Sequence, residues 1–134
     1  MITQFGALPF RDEPDRGLQL LLVTSRDTGR WVIPKGNPML FRSAAQTAAE
    51  EAFEEAGIRG AIAPVPIGRY RYCKRRRLAA DVMAQVSVFP LRVEQLLEEW
   101  PEAQQRRRQW FSREEAVAAV AEEELKALIL GFEP

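Results

Sequence analysis

The sequence predicts an α+β fold. Strand-like apolar runs and helical stretches are interspersed. They do not follow the regular strand–helix–strand alternation that builds a doubly wound parallel sheet. One strongly acidic helix, 43–56, follows a short strand and a loop.

The elements follow in order. Ile2–Phe10 reads as a strand containing the small residues Gly6 and Ala7. Arg11–Gly17 is a charged turn with Pro14 and Gly17. Leu18–Val23 is an apolar run interrupted only by Gln19, as expected of a strand buried on both faces. Thr24–Arg30 is a polar loop, Trp31–Ile33 a short strand, and Pro34 prevents its regular continuation. Beyond the acidic helix, Ala61–Val65 and Ile67–Tyr72 form a strand broken by Pro64 and Pro66. Lys74–Arg77 is a basic hairpin tip. Leu78–Pro90 contains a long strand, with Val82, Ala84, Val86 and Val88 alternating against Asp81, Gln85 and Ser87. Val93–Trp100 reads as a short helix ended by Pro101, and Arg107–Phe111 as a short strand. Ser112 with Glu115 signals a capped helix through Ala121, and Glu123–Leu130 a last helix stopped by Gly131.

The acidic helix carries the strongest chemical signal. Ser43 suits its N-cap, Gln46 completes a capping box, and Gly57 suits the left-handed position that ends it. At about 100° per residue, Ala45, Ala49, Ala52 and Ala56 fall on one side. Glu51, Glu54 and Glu55 fall on the roughly opposite side. Carboxylates at i and i+4 repel, and the last turns of a helix favour cations. A hard divalent cation would offset this cost, because Mg²⁺ takes oxygen ligands shared between carboxylates and phosphates. The bland alternative is a solvated acidic face.

Composition narrows the chemistry. At 134 residues the chain is one domain with enough apolar content for a core. Its formal net charge is zero, so no bulk polyelectrolyte partner such as nucleic acid is implied. The absence of histidine excludes histidine triads, bases and metal ligands. The single cysteine, Cys73, excludes an intrachain disulfide and fits a reducing, cytoplasmic compartment. No apolar run reaches membrane-spanning length, and no signal-peptide pattern opens the chain.

The stretch Gly36–Ile58 resembles the Nudix box, G-x5-E-x7-R-E-U-x-E-E-x-G-U, in which U is a bulky apolar residue. Gly36, Glu51, Glu54, Glu55, Gly57 and Ile58 stand at the required spacings, and Ala52 is a small occupant of a U position. Two positions depart from it: Arg42 stands where the pattern has Glu, and Glu50 where it has Arg. The exchange is reciprocal, which predicts a charge-reversed pair. Eight residues of helix would separate the two by about 12 Å, so pairing needs Arg42 to fold back from the loop. The alternative makes Glu50 a fourth acid beside the metal. The stretches Thr24–Arg26, Arg30–Trp31, Trp100–Glu102 and Arg107–Phe111 extend the likeness to the diphosphoinositol polyphosphate phosphohydrolases. That group also cleaves dinucleoside polyphosphates.

The resemblance runs from about Gln4 to Leu130 and implies a Nudix fold, an α/β/α sandwich around a mixed sheet. It implies a pyrophosphohydrolase using Mg²⁺ or Mn²⁺, in which water attacks phosphorus. Glu51, Glu54 and Glu55 hold the metal by this resemblance, joined by the Gly36 carbonyl, and supply the catalytic carboxylates. Glu102, outside the box, is a further candidate for taking the proton from water; its alternative is a solvated loop acid. Arg26, Lys35, Arg75, Arg76 and Arg77 are candidate phosphate clamps, against the alternative of solvated surface cations. Tyr70 and Tyr72, and the tryptophans 31, 100 and 110, read as packing residues. The partner expected is a small polyphosphate, diphosphoinositol polyphosphate or dinucleoside polyphosphate in type. Other readings are a capped RNA end as substrate, or a binding module that has lost catalysis.

Overall fold

A computed structural model describes residues 1–134. Its organising strand is β7 (Val82–Leu96). β1 (Ile2–Glu13) runs parallel to it, from Ile2 beside Ala84 to Phe10 beside Arg92. β2 (Gly17–Thr24) turns back antiparallel on β1. β3 (Trp31–Val32) and β8 (Arg108–Ser112) both pair with β2, and β4 (Lys35–Gly36) pairs with β1. β5 (Ile58–Ile62) and β6 (Gly68–Lys74) both pair antiparallel with β7. One parallel pair among antiparallel ones makes the sheet mixed, as the α+β reading requires.

Side-chain alternation along the strands divides the core in two. Leu8, Phe10, Leu20, Leu22, Val86 and Val88 face one side, under α2 (Arg113–Ala119) and α3 (Glu123–Gly131). Ala7, Leu21, Val23, Phe89 and Leu91 face the other, against Ala48, Ala52 and Ala56 of α1 (Ala44–Ala56). With both faces covered, Leu20–Val23 are all buried, while Leu18 and Gln19 at the start of the expected run are only half-buried.

The helix expected over Val93–Trp100 is not there. β7 continues through Leu96, because Ile58–Ile62 supplies a second antiparallel partner to Leu91–Leu96. That pairing keeps Leu91 and Val93 in one apolar cluster, which a strand achieves at every second residue. The break at Pro64 and Pro66 is present, and it serves the same strand. β6 covers β7 up to Val88 and β5 resumes at Leu91. Pro90, with no N–H to give, falls in the gap between them. The backbone of Ala63 still donates to its carbonyl at 2.8 Å.

The acidic helix is capped as its sequence predicts. Ser43 Oγ accepts from Gln46 N at 3.1 Å and Gln46 Oε1 accepts from Ser43 N at 2.8 Å. Gly57 closes it with φ of 66°. The facing of the helix differs from expectation. Its buried arc is Thr47, Ala48, Glu51, Ala52, Glu55 and Ala56, so two glutamates share the buried side with the alanines. Ala45 and Ala49 are only half-buried. No helix is long and apolar enough to cross a membrane.

Candidate active site

The end of α1 shows how an acidic helix terminus is tolerated. The chain between β7 and β8 wraps around it. Trp100 Nε1 donates to the Glu55 carbonyl at 3.0 Å, and Arg108 Nη1 to the Ala56 carbonyl at 2.8 Å. The Arg108 guanidinium also lies 4.0 Å from the Trp100 ring centre. A cation from a distant strand thus satisfies the C-terminal carbonyls, which have no basic residue in their own last turn. Gly57 is required twice here, for its positive φ and because a Cβ would come within 2.8 Å of Trp100 and Arg108.

The same wrap delivers Glu102 and Arg106 to a cleft of about 390 Å³ above α1. Glu51 and Glu55 form its floor, with Gly36 and Lys35 of β4 beside them. Glu51 and Glu55 are only 8% and 7% exposed, so the solvated acidic face is excluded for this pair. Glu55 Oε1 accepts from the backbone N–H of Lys35 at 3.3 Å, and its Oε2 lies 3.4 Å from Arg106 Nη2. Arg106 also donates through Nε to Glu102 Oε1 at 2.7 Å and through Nη1 to the Thr24 carbonyl at 3.0 Å. Arg26 approaches the same Glu102 oxygen at 3.9 Å.

Burial dominates the electrostatics. It pushes Glu51 up from 4.5 to about 8, with Glu55, Glu54 and Glu102 adding repulsion and Arg106 opposing. It pushes Glu55 up to about 7, against the pull of Arg106 and Lys35. Burial also lowers the Lys35 ammonium, whose Nζ sits 4.8 Å over the Tyr72 ring. These directions follow from moving charge out of water faster than neighbours can compensate.

A divalent cation fits part of this arrangement. Two buried carboxylates with raised pKa values are a hard-oxygen donor set whose charge Arg106 and Lys35 compensate only in part. Gly36 belongs to it sterically, since a Cβ there would overlap the Glu51 carboxylate. The three box glutamates do not converge, however. Glu54 lies outside the cleft lining, and no three acidic side chains gather tightly enough to make a ready-made metal site. Glu54 instead belongs to the outer edge of α1. Burial, Glu50 and Glu102 raise its pKa, and Arg42 opposes them.

Arg42 does fold back. Phe41 takes a left-handed φ of 63°, and Arg42 Nη1 comes within 3.9 Å of Glu50 Oε2. The reciprocal exchange is thus an ion pair. Of the expected clamps, Arg26, Lys35 and Arg75 line the cleft and Arg76 and Arg77 do not. Arg76 is turned back on its own hairpin, donating through Nε to the Ala80 carbonyl at 2.8 Å. Arg106 is the residue that sequence reasoning missed. Its only local signal was the triplet Arg106-Arg107-Arg108, which does not say which of the three turns inward.

Comparison with known proteins agrees with the geometry. The family model described as NUDIX domain matches residues 3–130. The chain is 30% identical over 137 residues to diphosphoinositol polyphosphate phosphohydrolase 3-beta of Bos taurus, covering 96% of this chain and 79% of that one. It is 31% identical over 115 residues to Nudix hydrolase 21, chloroplastic, of Arabidopsis thaliana, covering 84% of this chain but 56% of that one. Among solved structures, the E. coli dihydroneopterin triphosphate pyrophosphohydrolase superposes with a TM-score of 0.73 at 15% identity, covering 97% of this chain and 93% of that one. This last likeness speaks for the fold alone. The chain therefore belongs to the NUDIX domain family, among relatives named as hydrolases.

Proposed function

We propose that the chain acts as one catalytic domain that hydrolyses a diphosphate linkage in a phosphorylated small molecule. The observation that carries this is the buried pair Glu51 and Glu55, set in the floor of a cleft whose walls bear cations. In this reading Glu51 and Glu55, with the Gly36 carbonyl, hold Mg²⁺ or Mn²⁺. When bound, the metal supplies charge neutralisation to the phosphate oxygens and acidifies water. Arg106 keeps Glu55 and Glu102 in fixed orientation through its three contacts. Lys35, Lys74, Arg75, Arg26 and Arg30, which all line the cleft, bind phosphate oxygens. Water attacks phosphorus, the bridging P–O bond breaks, and the leaving phosphate departs as the anion. The water's proton goes to Glu102, whose Oε2 is outside its ion pairs with Arg106 and Arg26.

The substrate class follows from the balance of charge. Six cationic residues line the cleft, Arg26, Arg30, Lys35, Lys74, Arg75 and Arg106, but so do five acidic ones, Asp27, Glu51, Glu55, Glu102 and Glu122. A densely phosphorylated inositol would meet Asp27 and Glu122 unfavourably. A nucleoside polyphosphate, dinucleoside types included, carries less charge and suits the mixture better. Lys74 and Arg75, the part of the basic run that lines the cleft, favour the second reading, a diphosphoinositol polyphosphate. A cytoplasmic location belongs to the same proposal, resting on the single exposed cysteine. The test is a phosphate-release screen over both substrate classes with Mg²⁺ and with Mn²⁺, and Glu55→Gln as control. Turnover lost in the control supports the reading. No turnover of any diphosphate with either metal sinks it.

A further inference from the structure

A hydrogen-bond relay runs along the cleft wall. Tyr72 OH donates to Gln4 Oε1 at 2.6 Å, and Gln4 Nε2 donates to Asn37 Oδ1 at 3.0 Å. All three residues line the cleft. Gln4 is 3% exposed, so its amide must find partners within the protein. Burial pushes the Tyr72 hydroxyl up to about 12, so it keeps its proton and serves as the donor. Gln4 then has its oxygen occupied and presents its amino group to Asn37. With Asn37 Oδ1 occupied in turn, the free end of that amide is Nδ2, a donor only. Pro38 follows, which restricts Asn37 to extended backbone and steadies the side chain's root. Asn37 is exposed and adjoins Gly36.

We propose that Asn37 is a substrate-binding residue whose Nδ2 donates to an anionic phosphate oxygen, and that Gln4 and Tyr72 are positioning residues that fix the polarity of its amide. This rests on the diphosphate reading above. A donor placed beside the carboxylates adds attraction for phosphate without adding charge. It also rejects a substrate that offers only a donor there, since two donors cannot pair.

The test is a double-mutant cycle. Asn37→Ala removes the donor. Gln4→Glu can no longer donate to Asn37 Oδ1, so the amide turns and presents oxygen to the substrate. With the diphosphate substrate that the wild type turns over, each single change should raise KM about tenfold or more, the scale of a hydrogen bond to a charged group. kcat should change little, as for a contact made equally in ground and transition states. In the Asn37→Ala background, Gln4→Glu should add less than about twofold, because its effect passes through Asn37. An equal effect of Gln4→Glu in both backgrounds would mean that the new charge acts directly, and the relay is wrong. A KM within about twofold of wild type for Asn37→Ala removes the binding role. Tyr72→Phe, which keeps the ring under Lys35, replaces Gln4→Glu in the cycle if that variant does not fold. Calorimetric binding of inorganic pyrophosphate separates the two levels. If the wild type hydrolyses nothing yet binds pyrophosphate more weakly after Asn37→Ala, and Gln4→Glu weakens binding only when Asn37 is present, the relay stands and the catalytic reading falls. If neither turnover nor binding is seen, both fall.

Discussion

Two glutamate pairs on α1 share the same spacing and meet opposite fates. Glu50 and Glu54 lie on the outer edge of the helix, where Arg42 pairs with Glu50 at 3.9 Å, the two side chains being 48% and 28% exposed. Glu51 and Glu55 lie one residue further round and face the cleft floor. There burial raises both, and the offset comes from Arg106, whose side chain is 8% exposed. Water screens the first pair, so its repulsion and its ion pair are both weak. The second pair is shielded from water, and that burial raises both pKa values. A rotation of about 100° per residue separates a surface ion pair from a site.

Removing Arg106 breaks the contrast most severely. Arg106→Met leaves Glu55 and Glu102 without their shared cation. Removing one partner of a buried ion pair costs about 3–5 kcal/mol, so the metal-free variant should melt far below wild type. Mg²⁺ should recover part of the loss by replacing the missing charge. A variant that melts like wild type would show that Arg106 offsets nothing.

Next in size is the loss of a carboxylate from the cleft floor. Glu55→Gln and Glu51→Gln should each lower kcat about 10²–10³-fold, the scale of a removed electrostatic group in an active site. Glu50→Gln and Glu54→Gln should lower it less than about tenfold by the same measure, because neither lines the cleft. Steady-state kinetics on all four variants checks this, and equal losses would erase the distinction between the pairs.

A pH titration sharpens the comparison without mutation. Glu51 moves from 4.5 to about 8 and Glu55 from 4.5 to about 7 on folding. Between those values the folded chain holds more protons than the unfolded chain. Stability of the metal-free chain therefore falls as pH rises through that window. A divalent cation at Glu51 and Glu55 would favour their ionised forms and flatten the slope. Melting temperatures across the window, with and without Mg²⁺, test both statements. A metal-free chain that grows more stable towards pH 8 would contradict the first.

The smallest effect belongs to the outer pair. A double-mutant cycle on Arg42→Ala and Glu50→Ala should give a coupling of about 0.2–1 kcal/mol, typical of exposed ion pairs. Salt should reduce it. A coupling well above that range would make the reversed pair a structural clamp on the loop.

What the sequence made legible was local. Ser43, Gln46 and Gly57 announce the ends of α1 because capping is decided within a few residues. The proline break at 64–66 and the two-sided burial of Leu20–Val23 were equally readable. Val93–Trp100 was misread because its conformation is decided by pairing with Ile58–Ile62, which no local pattern reveals. The site divides in the same way. Glu51 and Glu55 were marked by their spacing on the helix, and Gly36 by the resemblance to the Nudix box. Arg106 was not, because its role depends on a loop meeting a helix end about fifty residues away, a long-range closure that no short motif encodes. Glu54 shared the motif's spacing with Glu51 but not its environment, since spacing fixes the angle on the helix and not what packs above it.

The parallel pairing of β1 with β7 bears on how the chain is made. Ile2–Phe10 joins Ala84–Arg92 at the middle of the sheet, across most of the sequence. During synthesis β1 must wait for its parallel neighbour until β7 has left the ribosome. Such non-local closure is slow, and an apolar strand waiting unpaired is exposed to aggregation. β2 can meanwhile cover one edge of β1 as a hairpin from Phe10–Glu13. Hydrogen exchange on nascent chains of increasing length should find the Ile2–Phe10 amides that bond to Ala84–Arg92 protected only once the chain extends past Arg92.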